Sequence, residues 1–159
     1  MEIIKEEIGL TDLVDVRILQ KIQNAFSMMT DIAVLTTDTN GVAITEPSNF
    51  TDFCNKYVRT SEIGRMRCED CNKMGAEMAH EAGRSCRYSC HAGLMLFTAP
   101  IMADGRMIGC FMGGQVIQEP IDENNKRKLA NELGIDEEGF IEASKKLNIV
   151  DISTVDKIT

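Results

Sequence analysis

Four cysteines and both histidines of the chain lie between Gly64 and Leu94, in the stretch GRMRCEDCNKMGAEMAHEAGRSCRYSCHAGL. One further cysteine precedes this stretch and one follows it. Thiolates and imidazoles are the soft ligands that bind zinc and iron–sulfur clusters, and thiols also carry out redox chemistry. These residue types therefore indicate metal binding, thiol chemistry, or thiols that are simply buried.

The spacing of the cysteines favours a metal site. Cys68 and Cys71 form a Cys-x2-Cys pair, and Cys86 and Cys90 form a second pair downstream, which is close to the pattern of zinc sites. Near the start of a helix the first pair would share one face, where the helix dipole stabilises negative sulfur. The predicted ligands are Cys54, Cys68, Cys71 and Cys90, and the predicted bound group is zinc or an iron–sulfur cluster.

Other interpretations of the same residues stay open. Free cysteines are often small buried hydrophobes, and we favour this interpretation for Cys110, which lies in an apolar strand. Cys86 fits either interpretation. His91 adjoins Cys90 and can be structural or a ligand, whereas His80 is expected to be structural.

No motif in the chain predicts an enzyme. The zinc-deaminase signature, the His-Glu-x-x-His motif and a glycine-rich phosphate loop are all missing from the sequence. A thiol oxidoreductase stays open, but its Cys-x-x-Cys would normally follow a strand in a thioredoxin-like unit that the predicted elements do not supply. We therefore predict a protein without catalytic activity.

Composition narrows the partners and the compartment. The formal net charge of −8 disfavours direct contact with nucleic acid or anionic lipid. The sequence contains neither a run of about eighteen apolar residues nor a signal-peptide start, so we expect no membrane span. We therefore predict a cytoplasmic protein, in which thiols stay reduced, so that the six cysteines are expected to bind metal or carry out chemistry and not to form disulfides.

Hydrophobic periodicity predicts the element order α-ββ-αα-βββ-αα. This order indicates an α+β fold with a PAS- or GAF-like antiparallel sheet of about five strands, flanked by helices. The first helix is expected to open at Thr11 or Asp12, and a turn at 38–41 is expected to join the first two strands. The cysteine helix is expected to end near Gly83, and the two tail helices are expected to begin at Asp122, with Gly134 ending the first, and at Asp136. Gly113 and Gly114 either break the last strand or let another backbone approach. The predicted apolar stripe of the first helix consists of Leu19, Ile22, Phe26 and Met29.

Three stretches together resemble the PocR-type sensory domain of prokaryotic signalling proteins. They are FSMMTDIAVLTTDTNGVAITEPSNFTDFC, GRMRCEDCNK and YSCHAGLMLFTAPIMADGRMIGCFMGGQV, within a resemblance that runs from about Leu10 to Leu147. The resemblance implies a PAS-like module that senses simple hydrocarbon derivatives such as small diols. It also implies attachment to DNA-binding regulators or histidine kinases. Cys54, Cys68 and Cys90 match the family's recurrent cysteines, whereas Cys71 and Cys86 do not.

Residues 1–159 are accordingly interpreted as one sensory domain, with an amphipathic helix over 1–30 and a helical tail over 120–159 that leads to an output domain or partner. The predicted function is binding of a small organic molecule. A homodimer is the expected state, because the amphipathic first helix and the helical tail are natural elements for dimerisation and output. The alternative is a metal or redox sensor in which the cysteine-bound centre is itself sensed. The predicted ligand-binding residues, between the strands and the cysteine helix, are His91, Phe97, Thr98, Met112 and Gln115.

Overall fold

The computed structural model describes residues 8–158, which fold around an antiparallel four-stranded sheet with helices on both faces. The spatial order of the strands is β1-β4-β3-β2. The strands are β1 (Ala33–Thr37), β2 (Cys86–Ser89), β3 (Met95–Ala103) and β4 (Arg106–Val116). The predicted α+β class and antiparallel sheet are confirmed, with four strands where about five are expected. The first seven residues of the predicted N-terminal helix, and residue 159 of the tail, lie outside the described residues.

The additional strand is expected over 42–45, but the segment 43–48 pairs with β1 only at isolated positions near its two ends. Between these positions the Thr36 N–H donates to the Thr45 hydroxyl (3.0 Å) instead of to a backbone carbonyl. Pro47 has no N–H to donate. A side chain and a proline therefore interrupt the ladder that a regular strand would need.

The helices before the sheet are α1 (Leu10–Leu13) and α2 (Val16–Thr30). A single helix opening at Thr11 or Asp12 is therefore wrong. Asp12 lies inside α1, where its carboxylate accepts a hydrogen bond from Gly9 N–H (2.8 Å). Asp15 caps α2, because its carboxylate accepts a hydrogen bond from Arg17 N–H (2.8 Å).

A buried polar network joins α2 to the sheet and to the segment 43–48. The Gln23 side chain is fully buried. Its amide group donates to Glu46 O (2.7 Å) and to Ser48 Oγ (2.8 Å). Its carbonyl oxygen accepts from the hydroxyls of Thr36 (2.9 Å) and Thr45 (2.5 Å). All the hydrogen-bonding capacity of this buried amide is thus used.

The predicted apolar stripe of this helix is divided between the sheet and the solvent. Phe26 is half-buried and packs edge-on against Phe111, with ring centroids 5.1 Å apart. Leu19 is also half-buried, whereas Ile22 is 59% exposed and Met29 is 87% exposed. Only part of the predicted apolar stripe therefore packs on the sheet, and the rest is exposed to solvent.

The other face of the sheet is covered by the helix that carries the Cys-x2-Cys pair. A π-helical turn (Phe53–Tyr57) and a 3-10 turn (Val58–Thr60) lead into α3 (Glu62–Ala82). Ser61 caps α3 and Gly83 ends it, as predicted for the end of this helix. Ala76 and Ala79 are fully buried against Cys110 and Met112 of β4, so small residues bring α3 close to the sheet.

The tail forms α4 (Glu123–Leu133), α5 (Glu137–Ser144) and α6 (Ile152–Ile158). The first two have the predicted caps, since Asp122 and Asp136 open them and Gly134 ends α4. Phe140 of α5 stacks on Phe53 of the π-helical turn with ring centroids 4.5 Å apart. Through this contact the tail forms part of the apolar core that surrounds Cys54. Within residues 8–158, no helix is both long enough and apolar enough to cross a membrane.

Candidate ligand-binding site

A cavity of about 50 Å³ lies between the sheet and α3, and four of the six cysteines line it. We refer to it as the cysteine cavity. The cysteines that line it are Cys54, Cys68, Cys71 and Cys90, which are the four predicted as metal ligands. All six cysteines of the chain are free thiols.

Three elements bring these thiols together. Cys54 lies in the π-helical turn, and Cys68 and Cys71 lie one turn apart on α3. Cys90 follows the end of β2, where its N–H donates to Leu94 O (2.9 Å) and closes a tight turn. The cysteines that are distant in sequence therefore meet because the π-helical turn, α3 and the turn after β2 converge.

Burial keeps the thiols of Cys54, Cys68 and Cys90 protonated. It raises the pKa of Cys54 to about 12 and the pKa of Cys68 to about 11, while the nearby Arg59 guanidinium opposes both shifts only in part. Burial also raises the pKa of Cys90. In the described part of the chain, no three His, Cys, Asp or Glu side chains are grouped as a metal ion would require. The thiols would therefore have to move closer together and lose their protons before they could bind a metal.

His91 contacts the wall of the cysteine cavity from outside. Its Nε2 lies 3.4 Å from Cys68 Sγ, and its Nδ1 is buried without a hydrogen-bond partner in the described structure. Burial lowers the pKa of His91, and the Arg67 charge adds to this shift. The side chain lines a separate cavity of about 250 Å³ beside Phe53 and Phe140. His91 is thus neutral at physiological pH. It lies between the two cavities, because it lines one of them and contacts Cys68, which lines the other.

Tyr88 brings an unsatisfied hydroxyl to the cysteine cavity. The residue is only 9% exposed, and its Oη has no hydrogen-bond partner among the described residues. It lies against α3 at Gly75, where any Cβ would overlap the phenol. Because a buried hydroxyl without a partner costs free energy, this atom is a position where a bound molecule would be stabilised.

Gln115 reaches the cavity through a bulge in β4. The pairing of Met95 with Val116 and of Leu96 with Gly114 leaves Gln115 without a partner on β3. Its φ of 59° and the φ of 131° at Gly114 depart from a regular strand. Met112 also lines the cavity, and uninterrupted alternation would turn a residue three positions later to the opposite face. The bulge therefore re-aims the Gln115 side chain.

The two glycines before this residue explain the bulge. Strand β4 continues through Gly113 and Gly114, so the alternative in which they break the strand is wrong and the alternative of close approach is confirmed. A Cβ at Gly114 would lie 2.8 Å from Leu96 Cα, and a Cβ at Gly113 would lie 2.9 Å from a Val34 methyl group. Side chains at either position would force β4 away from its neighbours.

The predicted ligand-binding residues occupy different places. Met112 and Gln115 line the cysteine cavity, and His91 lies behind its wall. Phe97 points to the opposite face of the sheet, where it packs with Val34. The Thr98 side chain is fully buried beside the Cys110 thiol. The structure thus brings two of the five together.

Sequence reasoning missed three polar side chains that line the cavity, namely Arg59, Asn72 and Tyr88. Tyr88 stands two residues before Cys90, so strand alternation places the two on one face and was a usable signal. Asn72 follows Cys71 on α3, and Arg59 lies in the 3-10 turn, where no periodicity fixes the direction of a side chain.

The fold and this cavity define an α+β domain of the sensory class, and comparison with known proteins places it in a family. The model of a family described as the sensory domain found in PocR matches residues 12–159. The regulatory protein PocR of Salmonella typhimurium is 32% identical over 120 residues, which cover 76% of this chain and 38% of that protein. The chain belongs to the PocR sensory-domain family. It is a sensory domain and not an enzyme, as predicted.

The chain spans 38% of the length of the curated relative that it matches. No solved structure matches it significantly.

Proposed function

We propose that this domain senses a small oxygenated hydrocarbon, the class that includes simple diols, by binding it in the cysteine cavity. The observation that carries this proposal is Tyr88, which lines the cavity and whose buried hydroxyl lacks a hydrogen-bond partner in the described structure. A ligand oxygen at this position would satisfy the hydroxyl, while the apolar walls would hold a hydrocarbon chain.

The size of the cavity supports a small ligand. One water-sized group needs roughly 10–15 Å³ of such space, so a cavity of about 50 Å³ has room for roughly three to five groups. Two- and three-carbon compounds fall in this range. A sugar or a nucleotide would require the walls to move apart.

The packing of the cavity wall supports a signalling route to the tail. Cys54 lines the cavity and belongs to the same core cluster as Phe53, Phe140 and Leu147. A ligand that displaces the π-helical turn would therefore move α5.

A complete change of the two-state population from 1:99 to 99:1 requires the ligand to bind one state more tightly than the other by about 5.5 kcal/mol. A small ligand gains at most about 1.5 kcal/mol per heavy atom, so we expect a partial shift.

Calorimetry with 1,2-propanediol and ethylene glycol tests ligand binding directly. The chain has two tyrosines, which supply a matched pair of variants. Tyr88→Phe removes the unsatisfied hydroxyl and should weaken binding, whereas Tyr57→Phe alters a ring that packs on Phe140 outside the cavity and should not. Equal binding by wild type and Tyr88→Phe would argue against the cysteine cavity as the site.

We further propose that the domain acts as a cytoplasmic homodimer joined to an output domain or partner, such as a DNA-binding regulator or a histidine kinase. Six free thiols are consistent with a reducing compartment. The residues Ile18, Ile22, Ala25 and Met29 of α2 are exposed and follow the 4-3-4 spacing of a coiled-coil seam. Light scattering should give a dimer for the wild type and a smaller mass for Ile22→Glu, with Lys21→Glu as the surface control.

A second candidate function is a metal or redox sensor based on zinc or an iron–sulfur cluster. It is favoured by the position of Cys54, Cys68, Cys71 and Cys90, which all line the same cavity. Elemental analysis and an absorption spectrum of protein purified without oxygen provide the test. Stoichiometric zinc or iron would support this candidate, whereas metal-free protein with fully titratable thiols would exclude it.

A further inference from the structure

We propose that the molecule sensed in the cysteine cavity carries a carboxylate, which pairs with Arg59 and the Tyr88 hydroxyl, on a short hydrocarbon chain. This inference rests on the proposed function and specifies the chemical class of the ligand.

The first observation is a cation without a counter-ion. Arg59 lines the cavity, and its guanidinium lies 5.6 Å from the centre of the Phe50 ring. No carboxylate pairs with it in the described part of the chain, although other arginines, such as Arg65 with Glu69, form ion pairs. None of the described residues that line the cavity is Asp or Glu. Arg59 therefore provides charge and donors that no described acidic side chain uses.

The second observation is a surplus of donors around the same space. The Tyr88 hydroxyl has a proton to donate and no partner in the described structure. The carbonyl oxygen of Gln115 is already engaged by Thr51, so its NH2 group is the end available to a ligand. A carboxylate only accepts hydrogen bonds, whereas a hydroxyl ligand also needs an acceptor for its own proton. Arg59 and the Gln115 NH2 group only donate, so they match a carboxylate better than a diol, while Asn72 and the Tyr88 hydroxyl suit either ligand.

The third observation is the apolar remainder of the wall. Leu94, Leu96 and Met112 line the cavity together with the Cys54 thiol. Burial raises the pKa of that thiol to about 12, so it meets the ligand as a neutral, weakly polar group. A short alkyl or hydroxyalkyl chain would pack here, with its carboxylate directed at Arg59.

Matched pairs of ligands test the inference on the intact domain. Lactate and 1,2-propanediol share a carbon skeleton and differ in whether one end is a carboxylate or an alcohol, and glycolate and ethylene glycol form a second pair. Calorimetry should show each acid binding more tightly than its diol, by at least about tenfold, because charge-assisted hydrogen bonds are the stronger kind.

Three arginine variants locate the effect. Arg59→Gln should remove the preference for the acid, and Arg59→Lys should retain part of it, because lysine keeps the charge without the bidentate geometry. Arg65→Gln changes an exposed ion pair on α3 and should bind like the wild type. Circular dichroism and melting curves would establish that each variant is folded.

The outcomes separate the two proposals. Diols that bind as tightly as the matching acids, in wild type and Arg59→Gln alike, would overturn the carboxylate and leave the proposed sensing of small oxygenated hydrocarbons intact. An acid preference that Arg59→Gln and Arg59→Lys both preserve would overturn the role of Arg59. Absence of binding by both members of both pairs would overturn this inference and the proposed function together.

Discussion

Gln115 and Thr51 join β4 to the segment that precedes the π-helical turn. The Gln115 side-chain oxygen accepts hydrogen bonds from Thr51 N–H (2.8 Å) and from Thr51 Oγ1 (2.9 Å). Gln115 has a φ of 59°, which is uncommon outside glycine. A residue held in this conformation at a cavity wall is typical of a functional position, because the surrounding structure must stabilise it.

We expect Gln115→Ala to destabilise the domain by about 1–3 kcal/mol, because it leaves the Thr51 N–H without its acceptor and keeps the unfavourable φ. Thr51→Val removes only the hydroxyl and should cost less. Urea unfolding of both variants checks this order. If Gln115→Ala were as stable as the wild type, these hydrogen bonds would not hold the bulge in place.

Gly75 sets how closely α3 approaches Tyr88. A Cβ at this position would overlap the phenol hydroxyl and ring of Tyr88, so Gly75→Ala must displace either the ring or the helix. Overpacking of this kind costs about 1–3 kcal/mol, which exceeds the gain in helix propensity of about 1 kcal/mol. Thermal unfolding should show a lower Tm, and ligand affinity should fall because the ring is pushed toward the cavity.

Gly9→Ala serves as the control for this prediction. A Cβ at Gly9 has only one neighbour at an ordinary distance, 3.6 Å from an Asp12 oxygen, and should change the Tm little. Equal Tm values for wild type and Gly75→Ala would mean that α3 can shift freely, which would contradict the tight packing described above.

The sequence predicted the class of the fold because the patterns that define it are local. The glycine after α3, the caps of α4 and α5 and the strands on both sides of Gly105 each depend on a few adjacent residues. The pattern predicts a strand over 42–45 because propensity does not report that the Thr45 hydroxyl replaces a backbone acceptor. The sequence pattern of α2 likewise does not predict that a polar side chain is buried on this helix. Gln23 can be buried because the hydroxyls of Thr36 and Thr45, which are distant in sequence, donate to its side-chain oxygen.

The site was only partly predictable because its geometry depends on contacts between distant segments. The four cysteines that line the cavity could be selected by their spacing, because it is a local property of the sequence. Phe97 was assigned to the pocket although it lies on the opposite face from Leu96, and this follows from a strand register that the sequence alone leaves free by one residue. The side chain of Arg59 extends from an irregular turn, where only the tertiary structure sets its direction.

Stability at alkaline pH should depend on Cys110. Burial raises the pKa of this thiol above its ordinary value of 9.0, and the Thr98 and Thr37 hydroxyls oppose the shift in part. The unfolded chain therefore releases the proton first, so this contribution to stability is complete below pH 9 and is lost as the pH rises toward the folded-state pKa. We expect the free energy of unfolding to fall above pH 9.

Cys110→Ala isolates this effect. The variant should be less stable at pH 7 because it leaves a cavity, but its free energy of unfolding should fall less steeply above pH 9, by up to about 1.4 kcal/mol per pH unit. Denaturant unfolding at pH 7, 9 and 10 provides the measurement. Parallel curves for wild type and variant would show that the thiol has the same pKa in the folded and unfolded chains.

The amide of Gln23 should contribute more to stability than the apolar residues of the same helix that face solvent. Gln23→Leu has similar volume but leaves the hydroxyls of Thr36 and Thr45 without the acceptor that they share. Each buried group left unsatisfied costs about 1–3 kcal/mol, so we expect a loss of at least about 2 kcal/mol. Gln20→Leu is the matched control. The Gln20 side chain hydrogen-bonds to the Glu46 backbone at the surface, so its replacement should lower the free energy of unfolding less. Chemical unfolding would contradict the importance of the network if the two variants were equally stable.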